Sequence, residues 1–526
     1  MRAAVHRGTV VLATAAAVVL TSCTPSTPAP SPAPTVTASA SEDPGGGTSL
    51  RPRYHHTAPQ RWKNDPQRPL VLDGVTHYWY LYDDAYPEGG GTEWRLATST
   101  DDVVLDDQGV AIPKGTTPNG DVWSGSAVLD VDGTAGLGAG AVLALVTQPQ
   151  AGRSQRGADG VGGQAQFLWW SGDGGRSFAP VQEDPVIAND GRRDFRDPKV
   201  LWDDARGRWV ALLAEGDAVS VWTSPDLRTW DEVSRLELPG IGTVECPDLF
   251  GITAADGTHR WVLGVSANAR DRGDPATYAY WTGGFDGTTF VPDRPDPLWL
   301  DHGFDWYGAV TWTDPDRDPE HVRLAIAWLN SWAYARDEPP TWRSDGYDGT
   351  DSVVRELRLA DVDGRWTLLS SPVATLADHA GESNELGDVE VEGHVPLDVR
   401  GVAYELRARL EPGDATNVGL QLRVSQDGTR HVDVGVDQDG VYVNRAGTGS
   451  PDGSGTLQES RSPLPMGSGG VDLRVLVDTT SVEVFVGDGS VVHSHLVFPA
   501  PADDGIALYA LGGTARVRDL TVTPLG

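Results

Sequence analysis

Cysteine is almost absent from this 526-residue chain, with Cys23 and Cys246 the only two. A fold stapled by disulfides is thereby excluded, and the core must hold by apolar burial. Positive charge is also scarce. Forty-one basic residues stand against 75 acidic ones, a formal charge of −34, which argues against nucleic acid or anionic lipid headgroups as a partner. Only Lys63, Lys114 and Lys199 are lysines, a bias that fits a GC-rich bacterial genome rather than a function. The apolar run 9–20 is too short for a stable membrane span. No His or carboxylate cluster has metal-ligand spacing, so neither metal nor cofactor is expected.

What is present begins with a leader. Arg2 and Arg7 precede the apolar run, as in a secretory signal peptide. The segment ends Leu20-Thr21-Ser22-Cys23, which resembles the lipobox of bacterial lipoproteins and marks Cys23 as a lipidated first residue. Residues 1–23 are therefore read as a lipoprotein signal and 24–49 as a Pro/Ala/Ser/Thr linker, with a reach of up to about 80 Å. The expected location is the outer cell surface, touching the membrane only through that lipid. Nineteen Trp, 13 Tyr, 63 Gly and 37 Pro indicate many short strands and turns, with aromatic surfaces on which sugar rings can stack.

A weak repeat organises the next three hundred residues: "TSTDDVVL" from Thr98, "WSGDGGRSF" from Trp170, "TSPDLRTW" from Thr223 and "WTGGFDGTTF" from Trp281. Each reads as a strand end, a polar turn and an apolar return, and the spacing fits one four-stranded blade per unit. A fifth unit without the signature is placed around "HVRLAIAWLNSW" from His321. The expectation is an all-β chain, a five-bladed β-propeller over 50–375 followed by a β-sandwich over 386–526. The sandwich rests on clean period-two alternation and Asp-Gly turns. Two packed sheets are the alternative for the first part.

Three acids share a local setting, beside an apolar run and with a proline within two residues: Asp65 in "NDP", Asp197 in "FRDPKV" and Glu245 in "VECPDLF". Alone, Asp65 reads as a turn residue. Three such acids on successive blades imply convergence at one axis, and glycoside cleavage needs at least two carboxylates there.

With "RWKNDPQRP", "WSGSAV" from Trp123, "FRDPKV", "ECPDLF", "DHGFDWYGAVTW" from Asp301, "IAWLNSWAYA" from Ile326 and "VVRELRL" from Val353, the chain resembles glycoside hydrolase family 32 over residues 54–526. That family comprises invertases, inulinases, levanases and fructan exohydrolases. The resemblance implies the same propeller and sandwich, with Asp65 as nucleophile, Glu245 as general acid then base, and Asp197 as transition-state stabiliser. It also implies that Asn64, Trp123, Ser124 and Arg196 hold the fructosyl unit. Trp62, Trp94, Trp306 and Trp332 are candidate rim residues, and Cys246 is read as a packed thiol with a secondary influence on Glu245.

Where the family continues its first motif Asn-Gly, this chain has Gln67 and Arg68, set where an acceptor could be held. Together with "SDGYDGTDSVVREL" from Ser344 this resembles the levan-acting actinobacterial branch, which includes levan fructotransferases. The implied substrate is β-2,6-fructan, hydrolysed to fructose or levanbiose by a monomer, or converted to a difructose anhydride. An arabinanase-type enzyme and a non-catalytic fructan-binding lipoprotein are the remaining readings.

Overall fold

The computed structural model describes residues 49–150, 163–269, 273, 275–449, 457–463 and 470–526. The signal segment with Cys23, and the linker up to residue 48, lie outside them.

Five antiparallel blades succeed one another. Blade I runs Arg61–Leu72, Val75–Asp83, Glu93–Ser99 and Asp106–Ile112, and blade II runs Gly125–Asp130, Ala141–Pro149, Gln164–Ser171 and Ala179–Pro180. Blade III holds Phe195–Asp203, Arg208–Glu215, Ala218–Ser224 and Asp231–Glu237, and blade IV holds Val244–Thr253, His259–Ala267, Tyr278–Phe285 and Phe290–Pro292. Blade V is built from Tyr307–Trp312, Arg323–Trp328, Arg355–Val362 and Arg365–Pro372. The chain forms a five-bladed propeller rather than two packed sheets.

One apolar cluster fills each gap between neighbouring blades. Trp79 and Trp94 meet Phe167 and Trp169 between blades I and II, Leu143 meets Trp209 between II and III, and Leu212 meets Leu263 between III and IV. Phe250 meets Leu357 between IV and V, and Tyr80 meets Ile326 where blade V returns to blade I. Both faces of every blade are therefore covered. That is why its strands read as unbroken apolar runs such as "YWYLY" and "VLALV" instead of alternating. Each fully buried Leu, Val or Phe contributes about 1.5–3 kcal/mol.

The recurring polar signature is the turn between third and fourth strands. Ser99 donates to Asp101, Ser171 to Asp173 and Ser224 to Asp226, and each Asp Oδ1 also accepts backbone N–H groups from the turn. Asp286 does the same alone in blade IV. Blade V has a short turn there. Its second and third strands are instead separated by a long insertion, residues 329–354, which carries the helix Pro340–Asp345. This insertion closes the ring, because Tyr347 and Asp348 pair in parallel with Arg61 and Trp62 of blade I.

After Asn384 comes a sandwich. Its long strands Asn384–Arg400 and Gly505–Pro524 pair with register breaks, and the latter hands over from Asn417–Val424 to Tyr404–Glu411, so one ladder serves both layers. Alternating Val and Leu side chains form its core. Buried charges bind it to the propeller. Arg355 donates to Asp301 and Glu483, His55 bridges Asp478 at 2.8 Å and Glu483 at 3.0 Å, and Arg445 donates to Asp305 at 2.7 Å.

Candidate active site

The innermost strands of four blades each carry a bulge in which two residues oppose one. The extra pairs are Asn64-Asp65, Asp197-Pro198, Cys246-Pro247 and Gly308-Ala309. A bulge bends the strand and re-aims a side chain, and it tolerates a proline that could not donate to a regular ladder. The Pro within two residues of each acid is thus the sequence trace of a bulge, which contains Asp65 and Asp197 and immediately follows Glu245. Asp197 and Cys246 adopt φ of 59° and 46°, conformations that cost non-glycine residues about 1–3 kcal/mol and concentrate at functional sites.

Asp65, Asp197 and Glu245 come together there. Ser124 Oγ donates to Asp65 Oδ2 at 2.9 Å, and the Cys246 sulfur lies 3.8 Å from Oδ2 of both Asp65 and Asp197. Cys246 N–H donates to Asp197 Oδ2 at 3.0 Å, and Thr147 Oγ1 accepts from Asp197 N–H at 2.9 Å. Glu245 is gripped at both oxygens: Arg196 Nη2 donates to Oε1 at 2.9 Å and Tyr307 OH to Oε2 at 2.5 Å. Arg196 also donates to Asp194 at 2.6 Å.

Burial first, then the charges of Asp197 and Glu245, push the Asp65 carboxyl up to about 7, against the hydrogen bond from Ser124. Asp197 is raised by burial too, against the opposing charge of Arg196. Burial and the same carboxylates push the Cys246 thiol well up, so it stays protonated and is no nucleophile.

At the bulged start of blade I, Trp62 Nε1, Asn64 Oδ1 and Asp65 Oδ1 are buried polar atoms with no hydrogen-bond partner. Unmet groups of this kind are what a sugar's hydroxyls satisfy. Beside them Trp62 stands edge-on to Trp328 at 6.1 Å and 6.4 Å from Trp332, whose ring is 38% exposed. Trp123, half-buried, precedes Ser124 at the head of blade II.

Four predicted contact residues stand elsewhere. Trp94 is fully buried, and its Nε1 donates to the Trp123 carbonyl at 2.9 Å, so it braces the loop from behind. Trp306 is fully buried in the core between blades IV and V, 5.8 Å from the Tyr278 ring and with the Arg355 guanidinium 4.6 Å over its own. Gln67, also fully buried, donates to the Asp65 carbonyl at 2.9 Å and accepts from Gly125 N–H at 2.6 Å; it staples blade I to blade II and cannot hold an acceptor. Arg68 donates to the Val200 carbonyl, its charge directed toward Asp248 further along the inner strands.

The sequence alone does not single out Tyr307, Trp328, Asp194 or Thr147. Tyr307 lies within "DHGFDWYGAVTW" and Trp328 within "IAWLNSWAYA", and Tyr307 adjoins Trp306. Successive strand residues face opposite ways, so the neighbour of a core tryptophan is the available signal.

Three converging carboxylates, one gripped by Arg196 and another beside unmet polar atoms, suit the cleavage of glycosidic bonds. Fold and site together define a propeller-borne glycoside hydrolase. Residues 55–372 match the Glycosyl hydrolases family 32 N-terminal domain and residues 373–524 the Glycosyl hydrolases family 32 C terminal. The chain is 48% identical over 475 residues to a levanbiose-producing levanase of Bacillus subtilis (strain 168), covering 90% of each. It is 46% identical over 402 residues to a levanbiose-producing levanase of Geobacillus stearothermophilus, covering 76% of this chain and 99% of that one. Its fold superposes on exo-inulinase from Aspergillus awamori with a TM-score of 0.80 at 24% identity, over 91% of this chain and 99% of the other. The protein belongs to glycosyl hydrolases family 32.

Proposed function

We propose that the protein is a retaining levanase, cleaving β-2,6-fructan to levanbiose or fructose. The observation that carries this reading is the set of Asp65, Asp197 and Glu245 gathered at or beside the bulges of three inner strands, in a chain 48% identical to a levanbiose-producing levanase. Asp65 attacks the anomeric carbon while Glu245 delivers a proton to the leaving oxygen. Asp197 accepts hydrogen bonds from ring hydroxyls that strengthen as the oxocarbenium character grows. Glu245 then takes the proton of a water molecule, which releases the sugar from Asp65 with its starting configuration. Asn64, Trp62 and Trp332 hold the fructosyl rings, and Arg196 holds Glu245 in line.

Chromatography of the products from levan, inulin and sucrose tests the assignment. Levan is expected to be cleaved fastest, to reducing sugars of retained configuration. Equal or faster cleavage of inulin would overturn the linkage, and a dominant non-reducing difructose anhydride would replace hydrolysis by transfer.

The location proposed is the outer membrane face, through acylated Cys23. Two or more lipid chains there give stable anchoring. Changing Cys23 to Ala is expected to move active protein from the membrane fraction or stall its processing; native protein found wholly in the medium, cut beyond Cys23, would refute this.

A further inference from the structure

A cavity of about 670 Å³ is lined among others by Arg193, Asp194, Asp217, Arg235 and Thr243, the last of them two residues before Glu245 in the chain. Its volume falls in the range, about 300–1,000 Å³, in which cavities take small organic ligands. It lies on the same end of the propeller as the catalytic opening. The inner strands of blades III and IV begin there, at Phe195 and Val244, and the hairpin turn at Gly216 and Asp217 joins two blade III strands at that end. Val244 N–H donates to the Gly216 carbonyl at 2.7 Å, tying the cavity wall to the strand that carries Glu245.

We infer that this cavity is the subsite for the departing part of the fructan chain, and that Arg193 is a specificity-determining residue within it. The inference rests on the levanase reading. Its direction comes from Arg196, whose guanidinium spans from Glu245 on one side to Asp194 on the cavity wall on the other. Asp65 projects from blade I. A sugar ring seated on Asp65 therefore presents its leaving oxygen to Glu245, and the fructosyl units attached through that oxygen extend over Arg196 into the cavity.

The lining chemistry suits a chain of hydroxyls. The floor is already satisfied, since Arg192 donates to Glu215 at 2.7 Å and Arg235 lies 3.4 Å from the same carboxylate. Arg193 and Asp217 are exposed at the mouth. A guanidinium supplies donors only and a carboxylate acceptors only, so the pair binds a hydroxyl at either of its functions.

The test compares levan with β-fructosyl fluoride, whose leaving atom fills no subsite. For Arg193→Ala the ratio of kcat/KM on levan to that on the fluoride is expected to fall about tenfold or more, the effect of losing a charged hydrogen bond, mainly through KM on levan. Arg206→Ala, in the turn that joins the first two strands of blade III at the end away from the cavity, is expected to leave the ratio as in the wild type. An Arg193→Ala ratio equal to that of the wild type would overturn the subsite. A wild-type enzyme that consumes the fluoride but not levan would overturn the levanase reading itself.

Discussion

A Cβ on Gly308 would stand 2.7 Å from Asp65 Oδ1. The glycine belongs to the bulge of blade V and has φ of 62°, so two separate constraints exclude a side chain. One is the left-handed backbone, and the other is the carboxylate laid against it. Gly308→Ala is expected to retain the fold at a cost of about 1–3 kcal/mol and to lose at least about a hundredfold in kcat, because a displacement near 1 Å at the reacting group costs that much. Circular dichroism melting alongside turnover on levan checks both halves.

Removing either chemical step has a different signature. Asp65→Asn and Glu245→Gln are each expected to cut turnover by about a thousandfold or more. Asp65→Asn also carries a stability consequence. The raised carboxyl of Asp65 stays protonated in the fold where the unfolded chain has already released its proton. Its contribution is present at acid pH and is lost as pH rises from the ordinary carboxylate range through about 7. At pH 8 the variant is therefore expected to melt above the wild type, measured by calorimetry, although it is inactive. A lower melting temperature there would argue against a strained carboxylate.

The same geometry explains which parts of the molecule were legible in its sequence. The repeated strand end, polar Asp-bearing turn and apolar return marked four of the blades, since such turns arise from local chemistry. The acids were legible because each has a proline within two residues, and in the structure that proline lies in or next to a bulge. The blade V insertion was not, since Tyr347 and Asp348 pair with residues almost three hundred positions away. Nor could Trp94 and Trp306 be told from Trp62 and Trp332. In a blade covered on both faces a tryptophan carries no sign of which side it takes, and only the three-dimensional placement sorts core from rim.

The acid side of the activity profile is set by Asp65, which must be ionised to attack. Turnover is expected to fall as pH drops through the region near 7, where burial and the neighbouring carboxylates hold its titration. Ser124 opposes that rise through its hydrogen bond at 2.9 Å. Ser124→Ala, losing that donor to the charged form, is expected to move the acidic limb of kcat/KM to higher pH. A limb moved to lower pH would contradict the role given to Asp65.

Acid should also loosen the sandwich where it meets the propeller. His493 and His495 are fully buried, and Ser460 Oγ lies 2.7 Å from Nδ1 of the first and 2.8 Å from Nε2 of the second. Burial holds both rings well below the ordinary imidazole value, helped at His493 by His302 and at His495 by Arg445 and His493. In the unfolded chain these rings take up protons once pH falls below about 6.5. The folded protein resists doing so, so their contribution is present above that pH and is lost progressively beneath it. Between pH 7 and pH 5 the melting temperature of the wild type is expected to drop further than that of a His493→Gln/His495→Gln double variant, whatever the variant's starting stability. Since the readout is the dependence on pH, a general loss of stability in the variant does not mimic it, and parallel curves would refute the assignment.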